Sequence, residues 1–201
     1  MNVTLLTSEA SFKDMENFAA LAALTCHANT GKPYVAHEVL GRIIKAGHES
    51  VLEHINLTYS VKGISRALLQ ELARHRHISL SVESTRHTLK KQLENEQWIE
   101  SLADKLLSFQ RDLLYYLENL AKIPDYSNDK LKYYLPEFWP TNLILTSNIR
   151  ELRHIIKLRT APAALKEFQD LAHALFDAVP DGFKYLLEDC VYKGKNENDL
   201  R

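Results

Sequence analysis

One stretch of the sequence decides how the rest is interpreted, and it reads Arg74-His75-Arg76-His77-Ile78-Ser79-Leu80-Ser81-Val82-Glu83-Ser84-Thr85-Arg86-His87. Three arginines and three histidines fall within these 14 residues. Guanidinium groups match phosphates and carboxylates through paired hydrogen bonds. A histidine, with an unperturbed pKa of about 6.5, adds charge or a further donor. The stretch therefore favours an anion-binding site.

A solvated charged surface is the main alternative interpretation of such a run. Two features argue against it. Within the stretch, no acidic residue occurs before Glu83, so it is not a helix surface of paired charges. In addition, Ile78, Leu80 and Val82 alternate with polar residues, which predicts an ordered extended segment. The arginines are also concentrated in two windows that hold seven of the ten in the chain: Arg66, Arg74, Arg76 and Arg86, then Arg150, Arg153 and Arg159. This distribution predicts an anion site assembled from both windows.

Composition limits the class of protein. The 201 residues fit one domain, and the formal net charge of −1 argues against a general nucleic-acid-binding protein, which is usually basic. Cys26 and Cys190 have no CxxC spacing, so we interpret them as free thiols in a reducing compartment. The N-terminus does not resemble a signal peptide, and no apolar run reaches the ~18 residues of a membrane span. A cytoplasmic protein that does not bind membranes is expected.

Hydrophobic periodicity predicts a mixture of strands and helices in a single domain, 1–201, with 193–201 as a frayed tail. The predicted strands are 3–6, 55–62, ending at Gly63, and 143–146. A first helix is predicted to begin at Ser8. Further helices are predicted over 35–46, 64–73, 96–120, 148–159, 163–178 and 183–191. A short helical turn is predicted at 48–54 because Ser50 and Glu53 have capping-box spacing.

Several chemistries are disfavoured by the motifs. His75 and His77 could reach a metal ion, but Arg74 and Arg76 between and before them repel a cation, so no metal is expected. Ser84 lacks the Gly-x-Ser-x-Gly context of a hydrolase. There is no Walker sequence and no Gly-x-Gly-x-x-Gly. A nucleotide would therefore be held by side chains and helix ends.

The spacing Arg74-His75-Arg76, seven residues, then Ser84, resembles the signature of the flavin-dependent thymidylate synthase family. The flanking segments agree with this resemblance: His48-Glu49-Ser50 with Glu53-His54, Leu135-Pro136, and the segment from Asn148 to Arg159. The resemblance extends from about residue 20 to residue 190.

The resemblance implies the fold and the reaction. The fold would be α+β, one domain with a small, mostly antiparallel sheet and several long helices, in a homotetramer whose active sites are shared between subunits. The reaction would convert dUMP to dTMP, with 5,10-methylenetetrahydrofolate as carbon donor, FAD as redox cofactor and NADPH or NADH as reductant. No nucleic-acid partner and no membrane would be involved.

The resemblance also implies roles for individual residues. FAD would be contacted by Ser50, Arg74, His75, Arg76, Asn148, Arg150 and His154. The substrate would be surrounded by Glu71, Arg74, Glu83, Ser84, Thr85, Arg86, Lys132 and Arg159, with His48 near the entrance for folate and nicotinamide. Arg159 and Ser84 would be catalytic, and Arg159 would stabilise negative charge at N3 of the pyrimidine as C5 becomes nucleophilic. Lys132 stands where many members have an arginine.

Two interpretations from other classes stay open. One is a flavin- or nucleotide-binding protein without catalysis, which a turnover assay with dUMP separates from an enzyme. The other is a module that binds RNA or single strands, which predicts a colourless protein and a steep salt dependence of affinity. Cys26 and Cys190 lie outside both arginine windows, which fits a reaction without a cysteine nucleophile.

Overall fold

The computed structural model describes residues 1–194. Of the tail predicted to be frayed, 193–201, residues 195–201 lie outside the described residues. The chain divides into two compact units. The first unit consists of Met1–Ser81 together with the residues from Pro140 onward, and the second unit is Val82–Trp139. The assignment of 1–201 to one domain stays a prediction.

A four-stranded sheet forms the centre of the first unit. Its strands are β1 (Asn2–Leu5), β2 (Asn56–Ser65), β3 (Ile78–Val82) and β4 (Pro140–Asn148), in the spatial order β1-β2-β4-β3. β2 pairs antiparallel with both β1 and β4. Alternate residues of β2 are buried, as its period-2 pattern predicts, because successive side chains point to opposite faces of a sheet. The prediction of an α+β fold with a small antiparallel sheet is confirmed.

The strand predicted to end at Gly63 continues through it. Lys62 pairs with Asn142, whereas Ile64 pairs with Thr141, so the register shifts by a bulge at Gly63. Gly63 has a φ of +72°, a conformation that favours glycine because it has no Cβ. The prediction that β2 stops there was wrong, since the glycine bends the strand instead of terminating it.

The helices are, in chain order, α1 (Glu9–Cys26), α2 (Ala36–Lys45), α3 (Arg66–Leu72), α4 (Thr85–Leu93), α5 (Glu96–Ala103), α6 (Ser108–Ala121), α7 (Asn128–Leu131), α8 (Ile149–Arg159) and α9 (Lys166–Asp177). Short 3₁₀ helices cover Glu49–His54, Lys132–Tyr134, Asp181–Leu186 and Glu188–Cys190. α1 begins as predicted, because the Ser8 hydroxyl accepts a hydrogen bond from the Ser11 N–H at 3.1 Å. None of the helices among residues 1–194 is both long and apolar enough to span a bilayer.

The core of the first unit packs helices against the sheet. Phe12 of α1, Tyr59 of β2 and Phe168 of α9 are fully buried, and Phe12 stacks on Phe183 with ring centroids 4.1 Å apart. Phe18 of the same helix is 63% exposed, because the buried face of α1 runs through Phe12, Ala19 and Ala23.

The second unit has its own apolar core, formed by Leu89, Leu93, Leu106, Leu114, Leu117, Ala121, Leu131 and Trp139. The prediction of a single helix over 96–120 was wrong, because this segment forms two separate helices, α5 and α6. Side chains stabilise the break: Gln110 Oε1 accepts from the Leu107 N–H at 2.8 Å, and Arg111 Nε donates to the Ala103 carbonyl at 3.0 Å. These bonds satisfy backbone groups that a continuous helix would pair internally.

Candidate active site

α8 carries most of the predicted cofactor residues and is placed by its N-terminal cap. Asn148, the last residue of β4, accepts a hydrogen bond from the Glu151 N–H through Oδ1 at 2.8 Å. The cap fixes where the helix begins, so Arg150 and His154 lie four residues apart on one exposed face. Local structure therefore places these two predicted FAD contacts side by side.

A cavity of about 650 Å³ in the first unit opens beside this face of α8. Its lining residues are Glu49, Glu53, His77, Asn148, Arg150, Glu151, Arg153, His154, Lys157, Asp189 and Cys190. Three of the residues predicted to contact FAD, Asn148, Arg150 and His154, are therefore brought together. Ser50, Arg74, His75 and Arg76 are not among the described residues that line this cavity.

The arginine windows are less open to an anion than the sequence suggested. Five of the seven arginines form ion pairs within the chain: Arg74, Arg86, Arg150, Arg153 and Arg159. Arg66 and Arg76 make no ion pair with any residue between 1 and 194. In the cavity itself, four carboxylates face three fixed cations, so its charge is close to balanced. Arg150 and Arg153 of the second window line this cavity, and the anion site assembled from both windows stays a prediction.

Arg150 and Arg153 differ in how firmly they are paired. Arg150 Nη1 donates to Glu53 Oε1 at 2.5 Å, but both side chains are about half exposed. Exposed pairs of this kind contribute only ~0–1 kcal/mol, so Arg150 can exchange Glu53 for a ligand anion at little cost. The Arg153 side chain is only 6% exposed, and it forms ion pairs with Glu49 and Asp189 of the same chain.

Arg153 uses all three of its nitrogens. Nε donates to Glu49 at 3.0 Å, Nη1 and Nη2 donate to the two carboxylate oxygens of Asp189 at 2.7 and 2.6 Å, and Nη1 also reaches the Leu186 carbonyl at 2.6 Å. Burial alone would lower the pKa of Arg153, but these carboxylates outweigh it and raise the pKa. We therefore infer that Arg153 joins α8 to the C-terminal segment, which comprises the 3₁₀ helices Asp181–Leu186 and Glu188–Cys190.

Cys190 lies nearer to the arginines than the sequence indicated. Although Cys190 lies outside both arginine windows in the sequence, it lines the same cavity as Arg150 and Arg153. Burial raises the pKa of the Cys190 thiol to about 11. The thiolate is the nucleophilic form of cysteine, so at neutral pH this thiol is poorly suited to attack a pyrimidine.

A second cluster surrounds Arg159, the last residue of α8. Its Nε donates to His75 Nε2 at 3.2 Å, its Nη1 lies 3.4 Å from Glu71 Oε2, and its guanidinium carbon lies 4.4 Å above the Phe168 ring. Glu71 also lies 3.6 Å from Arg74 and so bridges the two arginines. The structure thus brings together Glu71, His75 and Arg159, which are 88 residues apart at their extremes.

His75 is buried between two charged side chains. Its Nδ1 lies 3.1 Å from Glu151 Oε1, and its Nε2 faces Arg159. A guanidinium N–H can only donate, so Nε2 must accept and the proton must be on Nδ1. Burial lowers the pKa of His75, and the Arg159 charge acts in the same direction, although Glu151 opposes both. The imidazole is therefore neutral at pH 7, with both nitrogens occupied.

The other predicted residues of the first unit are accessible. His48 and Ser50 flank the start of the 3₁₀ helix Glu49–His54 and are exposed, as is Arg76. The exposed imidazole of His77, which the sequence analysis left without a role, lines the cavity beside α8.

The predicted substrate residues of the second unit lie at the start of α4 and at the Lys132–Tyr134 turn. Ser84 is the N-cap residue of α4, but its exposed side chain makes no capping hydrogen bond. Thr85 is the first residue of the helix, and Arg86 Nε pairs with Asp129 Oδ1 at 2.8 Å. Glu83 accepts from Gln92 at 2.8 Å, and Lys132 is exposed. The Ser84 hydroxyl and the first N–H groups of α4 are suited to an anion.

Sequence reasoning gave no role to Glu151 or Lys157, and it considered His77 only as part of the basic stretch and as a disfavoured metal ligand. Asn148 and Glu151 have the Asn-x-x-Glu spacing of a capping box, which is by itself a sufficient reason for a glutamate at position 151. The sequence therefore gives no sign that Glu151 contacts His75, which lies 76 residues away. Lys157 could have been found, because it continues the Arg150 and His154 face at i+3. Within residues 1–194, no group of three or more His, Cys, Asp or Glu side chains is arranged to hold a metal ion.

Taken together, the fold and these clusters define an α+β protein with a polar cavity that presents arginine, lysine and histidine donors. A family model described as Thymidylate synthase complementing protein matches residues 5–182. The chain belongs to this family, the flavin-dependent thymidylate synthases, and the resemblance noted from the sequence is confirmed.

Two curated relatives and one solved structure show the extent of the similarity. Flavin-dependent thymidylate synthase from Campylobacter jejuni (strain RM1221) is 43% identical over 166 residues, which cover 74% of this chain and 77% of the relative. The enzyme of the same name from Helicobacter pylori (strain ATCC 700392 / 26695) is 39% identical over 160 residues, covering 72% and 76%. A crystal structure of thymidylate synthase X from Helicobacter pylori with FAD and dUMP has a TM-score of 0.79 and 34% identity, covering 95% of this chain and 99% of that one.

Proposed function

We propose that this chain catalyses the reductive methylation of dUMP to dTMP, with 5,10-methylenetetrahydrofolate as carbon donor, FAD as redox cofactor and NADPH as reductant. The observation that carries the proposal is the match, over 95% of the chain, to the Helicobacter pylori thymidylate synthase X that holds FAD and dUMP. When bound, FAD supplies the redox chemistry that converts the transferred carbon to a methyl group.

The donors around the cavity fit FAD. Its pyrophosphate needs hydrogen-bond donors, and Arg150, His154 and Lys157 provide them on one face of α8, while Asn148 and His77 line the same space. Arg76 is exposed and unpaired among the described residues, so it is also available to a phosphate. We assign FAD contacts to Ser50, Arg74, His75, Arg76, Asn148, Arg150 and His154. Because both ring nitrogens of His75 are already hydrogen-bonded, His75 would contact FAD through its backbone or the face of its ring.

The substrate residues provide two kinds of contact with dUMP. Ser84, Thr85, Arg86 and Lys132 offer hydroxyls and cations suited to the phosphate. Arg159 offers its Nη2, which makes no hydrogen bond within residues 1–194, to the pyrimidine edge. There it would stabilise the negative charge that develops at N3 as C5 becomes nucleophilic. Glu71, Glu83 and His48 complete the proposed contacts, His48 at the folate and nicotinamide entrance.

We further propose a cytoplasmic homotetramer with shared active sites and no nucleic-acid partner. Phe18 and Leu21 of α1 are 63% and 41% exposed, and apolar side chains of this size on one helix suit a subunit interface. The net charge of −1 gives no electrostatic basis for general binding to nucleic acid. A light-scattering mass of about four 23.1 kDa chains would support the assembly, and a monomer mass would contradict it.

The proposed function is tested by omitting one component at a time. Protein stripped of FAD and then supplied with FAD, dUMP, methylenetetrahydrofolate and NADPH should form dTMP, and omission of any one should stop it. Flavin that is retained after desalting without any dTMP would indicate the binding protein without catalysis. A colourless protein whose affinity for single-stranded RNA falls steeply with salt would instead indicate the nucleic-acid module.

We expect the double change Cys26→Ala, Cys190→Ala to leave dTMP formation within about threefold of wild type. Burial raises the pKa of Cys190, which disfavours its nucleophilic thiolate, and Cys26, at the end of α1, is not among the described residues that line the cavity. Tritium release from dUMP labelled at C5 measures the effect. Loss of release in a variant that still folds and retains flavin would show that a thiol takes part.

A further inference from the structure

We propose that Glu151 is a positioning residue for Arg159 and acts through the tautomer of His75. The three side chains form a continuous line, from Glu151 Oε1 to His75 Nδ1 at 3.1 Å and from His75 Nε2 to Arg159 Nε at 3.2 Å. The inference rests on the proposed function in one respect, namely that Arg159 contacts the pyrimidine of dUMP.

The direction of the hydrogen bonds gives Glu151 its role. An ionised carboxylate accepts hydrogen bonds only, so Glu151 favours the tautomer of His75 that has its proton on Nδ1. That tautomer leaves a lone pair on Nε2 for the Arg159 Nε–H. In the other tautomer, two N–H groups would face each other at 3.2 Å, and Arg159 would have to move away.

The surroundings of His75 leave no substitute for the carboxylate. The charged or titratable groups that face it are Glu151, Arg159 and His154, all on α8, and the Phe168 ring of α9 lies edge-on at 5.8 Å. Burial lowers the pKa of His75, so the doubly protonated ring does not provide an alternative at neutral pH. Glu151 is therefore the acceptor that selects the tautomer.

The geometry of Arg159 shows what this selection achieves. Its side chain is 16% exposed and is held on three sides by His75, by Glu71 and by the Phe168 ring. The planar guanidinium is thereby oriented with Nη2 as its unused edge. A displacement of about 1 Å in a positioned group can lower a rate by about 10²-fold. Losing the contact at Nε should therefore weaken the interaction of Arg159 with the substrate.

The test compares Glu151→Leu with Glu151→Gln in the FAD-loaded protein. Glutamine Oε1 can still accept from His75 Nδ1, so we expect its dissociation constant for dUMP to stay within about threefold of wild type. Leucine has no acceptor, and we expect dUMP binding to weaken about tenfold or more. Asp170→Asn, which removes an exposed carboxylate paired with Lys166 on α9, is the matched control and should bind like wild type. Should Glu151→Leu not fold, Glu151→Ala gives the same comparison.

A double-mutant cycle shows whether Glu151 acts through Arg159. In an Arg159→Ala background, Glu151→Leu should not weaken dUMP binding further, because the group that it positions is absent. An equal loss of affinity in both backgrounds would overturn the proposal, as would a glutamine variant as impaired as the leucine variant. Affinity measured by calorimetry does not require turnover, so the cycle is readable in inactive variants.

Crystal structures of the two variants test the positioning without any substrate. Glu151→Gln should keep the contact between Arg159 Nε and His75 Nε2 near 3.2 Å, and Glu151→Leu should lose it. A leucine variant that retains this contact refutes the inference whatever its activity. A wild-type protein that neither binds dUMP nor forms dTMP refutes the proposed function instead, and the two failures are thus distinguishable.

Discussion

Arg159→Ala is expected to lower the rate of dTMP formation by about 10²–10³-fold while FAD stays bound. A donor directed at charge that develops in the transition state typically contributes this much, because it is positioned before the reaction begins. Arg159 meets the requirement, since His75, Glu71 and Phe168 hold its guanidinium in one orientation and leave Nη2 unused within residues 1–194. Product formed from dUMP and methylenetetrahydrofolate at saturating concentrations is the measurement.

Arg159→Lys should restore little of this activity. An ammonium group cannot donate to His75 and Glu71 and also present a planar edge to a pyrimidine. Arg42→Ala is a suitable control, because Arg42 lies on α2, where its Nε donates to the Glu38 carbonyl. If Arg159→Ala forms dTMP at nearly the wild-type rate, Arg159 has only the structural role of closing α8 and pairing with Glu71.

The largest effect on stability is expected from Arg153→Ala, which should lower the free energy of unfolding by about 3 kcal/mol. Removing one partner of a buried ion pair leaves the other charge uncompensated, and such changes cost ~3–5 kcal/mol. We expect the lower end, since Glu49 and Asp189 are 31% and 52% exposed and can be partly hydrated. The Leu186 carbonyl also loses its donor, so the C-terminal segment is less firmly joined to α8.

Denaturant unfolding at a fixed protomer concentration measures the effect of Arg153→Ala, because assembly contributes to apparent stability. Arg150→Ala is the matched control: it removes an arginine from the same helix whose pair with Glu53 is half exposed, and it should cost no more than ~1 kcal/mol. Equal losses for the two variants would show that the network around Arg153 contributes no more than a surface pair.

The pH dependence of this network follows from Asp189. Its burial would raise the pKa of the carboxyl, but hydrogen bonds from Arg153 outweigh burial and lower it below the ordinary value of 3.8. A lowered pKa means that the contribution to stability is present above the pKa of the unfolded chain. The contribution is lost as the pH falls through the lower value in the folded chain. The difference between wild type and Arg153→Ala should therefore be full at pH 7 and shrink below about pH 4.

Local patterns in the sequence were sufficient for the elements that pack on one face. The alternation in β2 and the apolar spacing of α8 predicted that both elements exist, since burial on a single face leaves a clear periodic signal, although β2 continues beyond its predicted end at Gly63. The break between α5 and α6 could not be predicted in this way. It contains neither glycine nor proline, and Gln110 and Arg111 stabilise it through contacts that the apolar pattern does not reveal.

The candidate site was predictable in composition but not in pairing. The resemblance to the family indicated Asn148, Arg150, His154 and Arg159 as site residues, and their roles stay predictions. The sequence could not show that Arg153 is bound by Asp189, 36 residues away, whereas Arg150 is paired only at the surface. Nor could it show that His75 connects Glu151 to Arg159, because that line depends on how α8 packs against the residues that follow α3.

The most direct test of the central claim is a single turnover with enzyme that has been reduced and freed of excess reductant. With dUMP and methylenetetrahydrofolate added, the account predicts about one dTMP per bound flavin, and no dTMP from the same protein stripped of FAD. Formation of dTMP by the flavin-free protein, or none by the reduced flavin-loaded protein, would contradict the account.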